Sequence, residues 1–319
     1  MTTAASTTGT WINPHTYAVI LAGGVGNRFL PYSTPEKPKQ FLNITDENRT
    51  MIQMTFDRIT GLIPADRVFV STNDRYVDLV REQLPTVPTK NIIGEPQKKN
   101  TAPAIGLLNQ LIYLRDHKAV TFFLPADHYI ANTAATLGVY ARAADVAAAS
   151  SALITFGIVP TFPSPDYGYI RRAMNRHESG AFDVKKFVEK PDIPTAQEYI
   201  ATGEYFWNGG MFVWRNQTLI ADIKMHMSEM SAQLLTLKLD GTGAVPRAWL
   251  EQFFEDATGT SIDYGVMEPA SLVGSVMTFP FDAGWSDVGT WKGLVDLEQR
   301  FGIVLPGVVQ EHLSQQVPE

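Results

Sequence analysis

Cysteine is absent from all 319 residues, which excludes disulfides, thiolate metal sites and a cysteine nucleophile. Oxygen and imidazole groups are the metal ligands that remain. No apolar run approaches the roughly 20 residues needed to cross a bilayer. The opening MTTAASTTGTWINPHTY has neither a basic region nor an apolar stretch of the kind that starts a secretory leader. Basic residues are in deficit, 26 Lys and Arg against 33 Asp and Glu, and the formal net charge of −7 argues against the basic face that nucleic-acid binding needs. Internal repeats, heptad arrays and low-complexity blocks are missing as well. These absences predict a cytoplasmic globular protein that binds neither nucleic acid nor membrane, with residues 1–15 as a flexible tail. Basic contacts to any anionic substrate must then be clustered locally.

What is present is a regular alternation. Apolar runs that read as buried strands recur at Tyr17–Leu21, Val68–Ser71, Asn91–Ile93, Val120–Leu124 and Ala152–Ile158. Between them lie helical patterns at Met51–Ile63, Arg75–Leu84, Ala102–Arg115 and Ala134–Ala149. Strands alternating with helices of this length predict a mostly parallel, doubly wound sheet whose ligands sit beyond the carboxyl ends of the strands. From Pro160 the pieces shorten: Tyr167–Arg172, Phe182–Val188 and Tyr205–Trp214 read as strands, then Leu219–Leu237 and Ala248–Phe254 as helical stretches. No Pro/Gly/Ser linker divides the halves, so the expectation is one domain over 16–292, with a mixed second half after about 158 packed against the first. Residues 293–319 read as a short C-terminal segment, a helix followed by a poorly specified end.

The chemistry is sought just after the strands. In AVILAGGVGNRFLP, glycines 23, 24 and 26 follow a strand, so backbone N–H groups can approach an anion with no Cβ in the way. A Walker A loop would need Lys-Ser/Thr after its last glycine, and the dinucleotide fingerprint would need a third glycine at the right spacing; here Asn27 and Arg28 follow Gly26. Arg28 supplies a planar fork for phosphate, and Lys39 a point charge on a chain stiffened by Pro35 and Pro38. FFLPADHYI puts Asp127 beyond a strand, where a carboxylate can ligate Mg²⁺ or serve as a turn residue. His128 has no second histidine at ligand spacing and reads as a packing or hydrogen-bonding group. FDAGWSDVGTW presents Asp287, with Asp282 and Asp263 as rivals for a second carboxylate. GEPQKKNTAPAI opens a helix with Thr101 as its candidate cap, FVEKPD ends a strand with Glu189 and Lys190, and YFWNGGMFVW carries Asn208. Lys190 suits a phosphate, while Glu189 and Asn208 suit hydroxyls. Trp207, Trp214, Trp285 and Trp291 read as core or pocket wall.

Taken in order, LAGGVGNRFLP, PKQFL, EPQKKNTAPAI, LPADHYI, FGIVPTFPSPDYGYI, FVEKPD, YFWNGGMFVW, SIDYGVME and WSDVGTW resemble the mannose-1-phosphate guanylyltransferase family, from about Tyr17 to Trp291. The resemblance implies an α/β, Rossmann-like nucleotidyltransferase (GT-A-like) fold with a mixed central sheet and a short C-terminal helical segment. It also implies Mg²⁺-dependent formation of GDP-mannose and diphosphate from GTP and mannose 1-phosphate. Carried over position by position, it assigns the nucleotide to Leu21, Ala22, Gly23, Gly24, Gly26, Asn27, Arg28, Lys39, Glu95, Asn100, Thr101, Pro103 and Asp127. The sugar phosphate falls to Gly168, Tyr169, Glu189, Lys190, Asn208 and Asp263, and the metal to Asp127 and Asp287. Arg28, Lys39, Asp127, Lys190 and Asp287 become the catalytic set, in a monomer or homodimer. The chain departs from the family pattern at Asn27, Lys98 and Gly209, where Thr or Ser, Gly and Ser are usual. Competing readings are a nucleotidyltransferase for another base or sugar, a non-catalytic nucleotide-sugar sensor, and a nicotinamide oxidoreductase.

Overall fold

The computed structural model describes residues 13–24, 29–45, 48–188 and 190–316. The strands are β1 (Thr16–Ala22), β2 (Val68–Asn73), β3 (Ile92–Glu95), β4 (Val120–Pro125), β5 (Tyr129–Ile130), β6 (Leu153–Ile158), β7 (Tyr169–Arg176), β8 (Phe182–Val188), β9 (Tyr205–Arg215), β10 (Val276–Phe281) and β11 (Trp285–Ser286). Nine of them form one sheet in the order β3-β2-β1-β4-β9-β6-β10-β8-β7, with β7 also pairing β9. The β3-β2-β1-β4 portion is parallel, as its near-continuous apolar runs require when both faces are covered. Beyond β4 the sheet is mixed: β9 is antiparallel to both neighbours, and β10 is parallel to β6 but antiparallel to β8. The doubly wound expectation therefore holds for the first half, and the mixed central sheet also expected appears in the second.

Helices Met51–Thr60 and Thr133–Ala149 cover one face, where Ile52, Phe56, Tyr140 and Ala144 pack on Phe122, Phe156 and Phe281. Helices Thr101–Arg115, Asn216–His226 and Arg247–Asp256 cover the other, burying Leu108, Ile223 and Phe253 against Val19, Phe69 and Trp214. A third, smaller cluster joins Phe29, Leu42 and Val288 to Leu294, Leu305 and Val309. Helices Trp291–Phe301 and Gly307–Gln316 are thereby docked onto the loop that follows β1.

The differences from expectation have local causes. Leu219–Leu237 is two helices, Asn216–His226 and Ser228–Leu234, broken at Met227. Helix Ile193–Thr202 had no counterpart among the expected elements, and β10 was hidden by Pro280. That proline is tolerated because β8 pairs β10 only at Met277 and Thr278, so a missing N–H farther along disrupts no described pairing on that side. β5 and β11 are two residues each and carry no periodic signal, yet they form their own antiparallel ribbon with Trp285 opposite Ile130 and Ser286 opposite Tyr129. Among the described residues no helix is long and apolar enough to cross a membrane.

Candidate active site

The parallel register aligns the carboxyl ends of β1, β3 and β4, so Gly23, Glu95 and Asp127 emerge at one rim of the sheet. The β5–β11 ribbon then brings in a segment from the far end of the chain. Its register, Trp285 with Ile130 and Ser286 with Tyr129, carries Asp287 to the end of the ribbon where Asp127 and His128 precede β5.

Lys39 lies where these segments meet. Pro38 leads into a short 3-10 turn, Lys39–Phe41, that is buried throughout. The Lys39 ammonium contacts Asp127 Oδ2 at 2.9 Å and donates to the carbonyl oxygens of Asp287 at 2.6 Å and Val288 at 3.1 Å. Three oxygens match the three donors of an ammonium group. Val288 sits in the left-handed region at φ 47°, a strained choice for a β-branched residue, and its side chain is locked in the third apolar cluster. Gln40, which the motif reading passed over, donates to the carbonyls of Ala22 at 2.9 Å and Gly24 at 2.7 Å and so fixes the entry to the glycine turn.

Burial works to raise the pKa of Asp127, but the Lys39 ammonium beside it holds the carboxyl below its usual range. His128 itself is pushed down to about 4 by burial, which the Asp127 and Asp287 carboxylates offset only partly. Its Nδ1 accepts from Trp285 Nε1 at 3.1 Å, so the neutral ring carries its proton on Nε2. His128 is thus a neutral hydrogen-bonding group, in keeping with its reading as a packing or hydrogen-bonding residue.

A cavity of about 410 Å³ opens between Asn100, His128, Tyr167, Gly168, Lys190, Asn208, Asp263 and Asp287. Its far wall is built by a bulge in β9. Asn208 pairs with Gly157 and Phe212 with Thr155, so extra residues of β9 are pushed out between them. Gly210 takes φ 61°, its N–H reaches Asn208 Oδ1 at 3.1 Å, and Asn208 Nδ2 donates to Asp263 Oδ1 at 2.7 Å. A Cβ on Gly209 would meet Ile158 and Met211 at 3.2 Å, so serine there would require the core to give. Lys190 lines the cavity with φ 41°.

At another wall of the cavity, Asn100 takes φ 67° and caps helix Thr101–Arg115. Thr101 Oγ1 accepts from Ile262 N at 2.9 Å, and Ala102 N donates to Thr260 O at 3.0 Å, tying this loop to the segment that carries Asp263. Pro103 is buried in the helix, and Leu21 and Ala22 belong to β1. Tyr169 differs from expectation: its side chain is fully buried and its hydroxyl is bonded to the backbone of Ser164, while Tyr167 faces the cavity instead. Asp282 is exposed and does not line the cavity. Gly26, Asn27, Arg28 and Glu189 lie outside the described residues.

Glu95 is 7% exposed, accepts from Ser71 Oγ at 2.8 Å and abuts Gly23, whose added Cβ would lie 3.2 Å from Glu95 Oε1. Burial pushes its pKa from 4.5 up to about 7, against the opposing Ser71 bond. The folded chain holds this proton more tightly than the unfolded one, so stability falls as pH rises from 4.5 to about 7. The full loss is about 3 kcal/mol. Glu95→Gln should match the parent near pH 4.5 and exceed it by up to that amount at pH 8, as read by denaturant unfolding at both pH values.

The nucleotidyl transferase family profile matches residues 17–301. A mannose-1-phosphate guanylyltransferase of Escherichia coli K12 is 36% identical over 319 residues, covering 94% of this chain and 63% of that protein. One from Salmonella typhimurium is 38% identical over 293 residues, covering 88% of this chain and 59% of that protein. The chain thus spans about three-fifths of the length of these curated relatives. Among solved structures, mannose-1-phosphate geranyltransferase from Thermus thermophilus superposes with a TM-score of 0.77 at 30% identity, over 90% of this chain and 79% of that one. UDP-glucose pyrophosphorylase complexed with UDP-glucose, at 13% identity and a TM-score of 0.57 over 90% of this chain and 98% of that one, shares the fold.

Proposed function

Given that the chain belongs to the nucleotidyl transferase family, we propose that it is a mannose-1-phosphate guanylyltransferase, converting GTP and mannose 1-phosphate to GDP-mannose and diphosphate. The observation that carries this reading is the meeting of Asp127 and Asp287 at one lysine, on the rim of a polar cavity lined by Lys190, Asn208 and Asp263. The extended likeness to guanylyltransferases supports the choice of base and sugar.

Among the described residues no group of three or more His, Asp or Glu side chains converges. Two carboxylates with oxygen donors nonetheless fit Mg²⁺, which takes few protein ligands and completes its shell with water and substrate phosphates. Asp127 and Asp287 are the residues that would hold it, and its chemistry there would be neutralisation of charge on the reacting phosphates.

In this reading Lys190 holds the phosphate of mannose 1-phosphate, while the N–H groups of the glycine turn and the Arg28 fork hold the triphosphate. A phosphate oxygen of the sugar attacks the α-phosphorus of GTP, the bond to the bridging β-phosphate oxygen breaks, and diphosphate leaves in line. No general base is required, because a phosphate monoester with a second pKa near roughly 6 is already anionic at neutral pH. Positioning and charge neutralisation do the work. Lys39, with all its donors engaged, is assigned to holding Asp127 and the Asp287–Val288 backbone in place rather than to the leaving group.

The test is a panel of nucleoside triphosphates and sugar 1-phosphates scored by diphosphate release. GTP with mannose 1-phosphate should give the highest kcat/KM, by about tenfold or more over ATP, UTP or glucose 1-phosphate, the range that a pocket's polar contacts ordinarily discriminate. A higher value for another pair would reassign the substrate, and nucleotide binding without release would favour a sensor.

A further inference from the structure

The Asp287 carboxylate receives a hydrogen bond from outside the expected set. Tyr167 Oη donates to Asp287 Oδ1 at 2.8 Å, across 120 residues of chain. The ring is clamped edge-on by Trp207 at 4.9 Å and Trp285 at 5.6 Å, with Phe162 at 6.4 Å. A phenol held on these sides has little freedom to swing, so its hydroxyl is a fixed donor.

Tyr167 also stands where two spaces adjoin. Next to the cavity described above is a second of about 540 Å³, walled by Thr290, Lys292, Asp296 and Arg300 from the Trp291–Phe301 helix and its cap. Both are lined by Asp166, Tyr167, Lys190, Trp285 and Asp287. Without a fixed donor on Oδ1, the Asp287 carboxylate could rotate toward Lys292 or Arg300 in the second space, away from Asp127.

We propose that Tyr167 is a positioning residue that holds the Asp287 carboxylate toward Asp127, with one oxygen bound to the phenol and the other presented to a divalent cation. The proposal rests on the assignment of Asp287 to the metal under the proposed function. Outer-shell partners of metal-ligating carboxylates typically contribute about 10–100-fold to metal affinity. Tyr167→Phe keeps the aromatic clamp and removes only the hydroxyl.

The experiment measures Mn²⁺ binding to the full chain in the presence of GTP alone, by electron paramagnetic resonance, for the parent, Tyr167→Phe and Asp287→Asn. Thermal unfolding of each is followed in parallel. Tyr167→Phe is expected to weaken Mn²⁺ binding by about tenfold and to raise the Mn²⁺ requirement of diphosphate release equally, with KM for mannose 1-phosphate within about twofold and unfolding unchanged. If Tyr167→Phe binds Mn²⁺ like the parent while Asp287→Asn binds it weakly, the positioning role is overturned and the metal assignment stands. If Asp287→Asn also binds like the parent, the metal assignment falls and the Tyr167 proposal with it.

Discussion

Asp127→Ala and Asp287→Ala should each lower diphosphate release from GTP and mannose 1-phosphate by roughly 10²–10³, the loss typical of removing one preorganised charge-stabilising group. The two should not be additive, because both carboxylates are assigned to the same bound charge. The double variant is expected to fall little further than either single one. The stability cost should differ between them. Removing the Asp127 side chain leaves the buried Lys39 ammonium without its anionic partner, whereas Asp287 offers that lysine only a backbone carbonyl, which alanine retains. Near-parental Mg²⁺-dependent rates in both single variants would sink the metal assignment.

Lys39→Met is the second large effect, and it should appear in stability as well as in turnover. The ammonium is nearly inaccessible, and its loss leaves Asp127 and two carbonyls without their donor. Removing one partner of a fully buried pair costs about 3–5 kcal/mol. The Asp127 side chain is 42% exposed, so solvent screening reduces the expected loss to about 2–3 kcal/mol. The pH dependence identifies the cause. A carboxyl held below its usual range adds stability above that range and loses the gain as pH falls through the depressed folded value. The gap between parent and Lys39→Met should therefore be widest at neutral pH and narrow in acid. A gap independent of pH would mean that packing, not the ion pair, is what the lysine supplies. Turnover should fall at least as far as in Asp127→Ala, since Lys39 places both Asp127 and the Asp287 segment.

The parallel half of the fold was legible because its strands are buried on both faces and read as continuous apolar runs; Phe182–Val188 in the second half was also read at its observed bounds. The site was legible at its charged residues, whose types and order form the motifs. What could not be read was who holds them. Lys39 meets Asp287 across 248 residues, and the ribbon that brings them together is two residues wide on each side. Gln40 and Tyr167 were not singled out, because a hydrogen bond to a distant carbonyl or carboxylate leaves no local periodicity. Tyr169 was drawn into the site by its place in a motif, although its burial makes it part of the frame.

The position of β9 has a consequence for how the chain must be made. This strand closes the sheet between β4 and β6, yet it is synthesised some eighty residues after β4. A nascent chain that has completed β1 to β4 therefore emerges from the ribosome with the apolar edge of β4 unpaired, a ready template for another chain. It stays so until Tyr205–Arg215 is released and threads antiparallel into the gap. Truncations ending before Tyr205 should accumulate as aggregates rather than as a soluble first half, and Asn208 would reach the candidate site in the same event that seals the sheet.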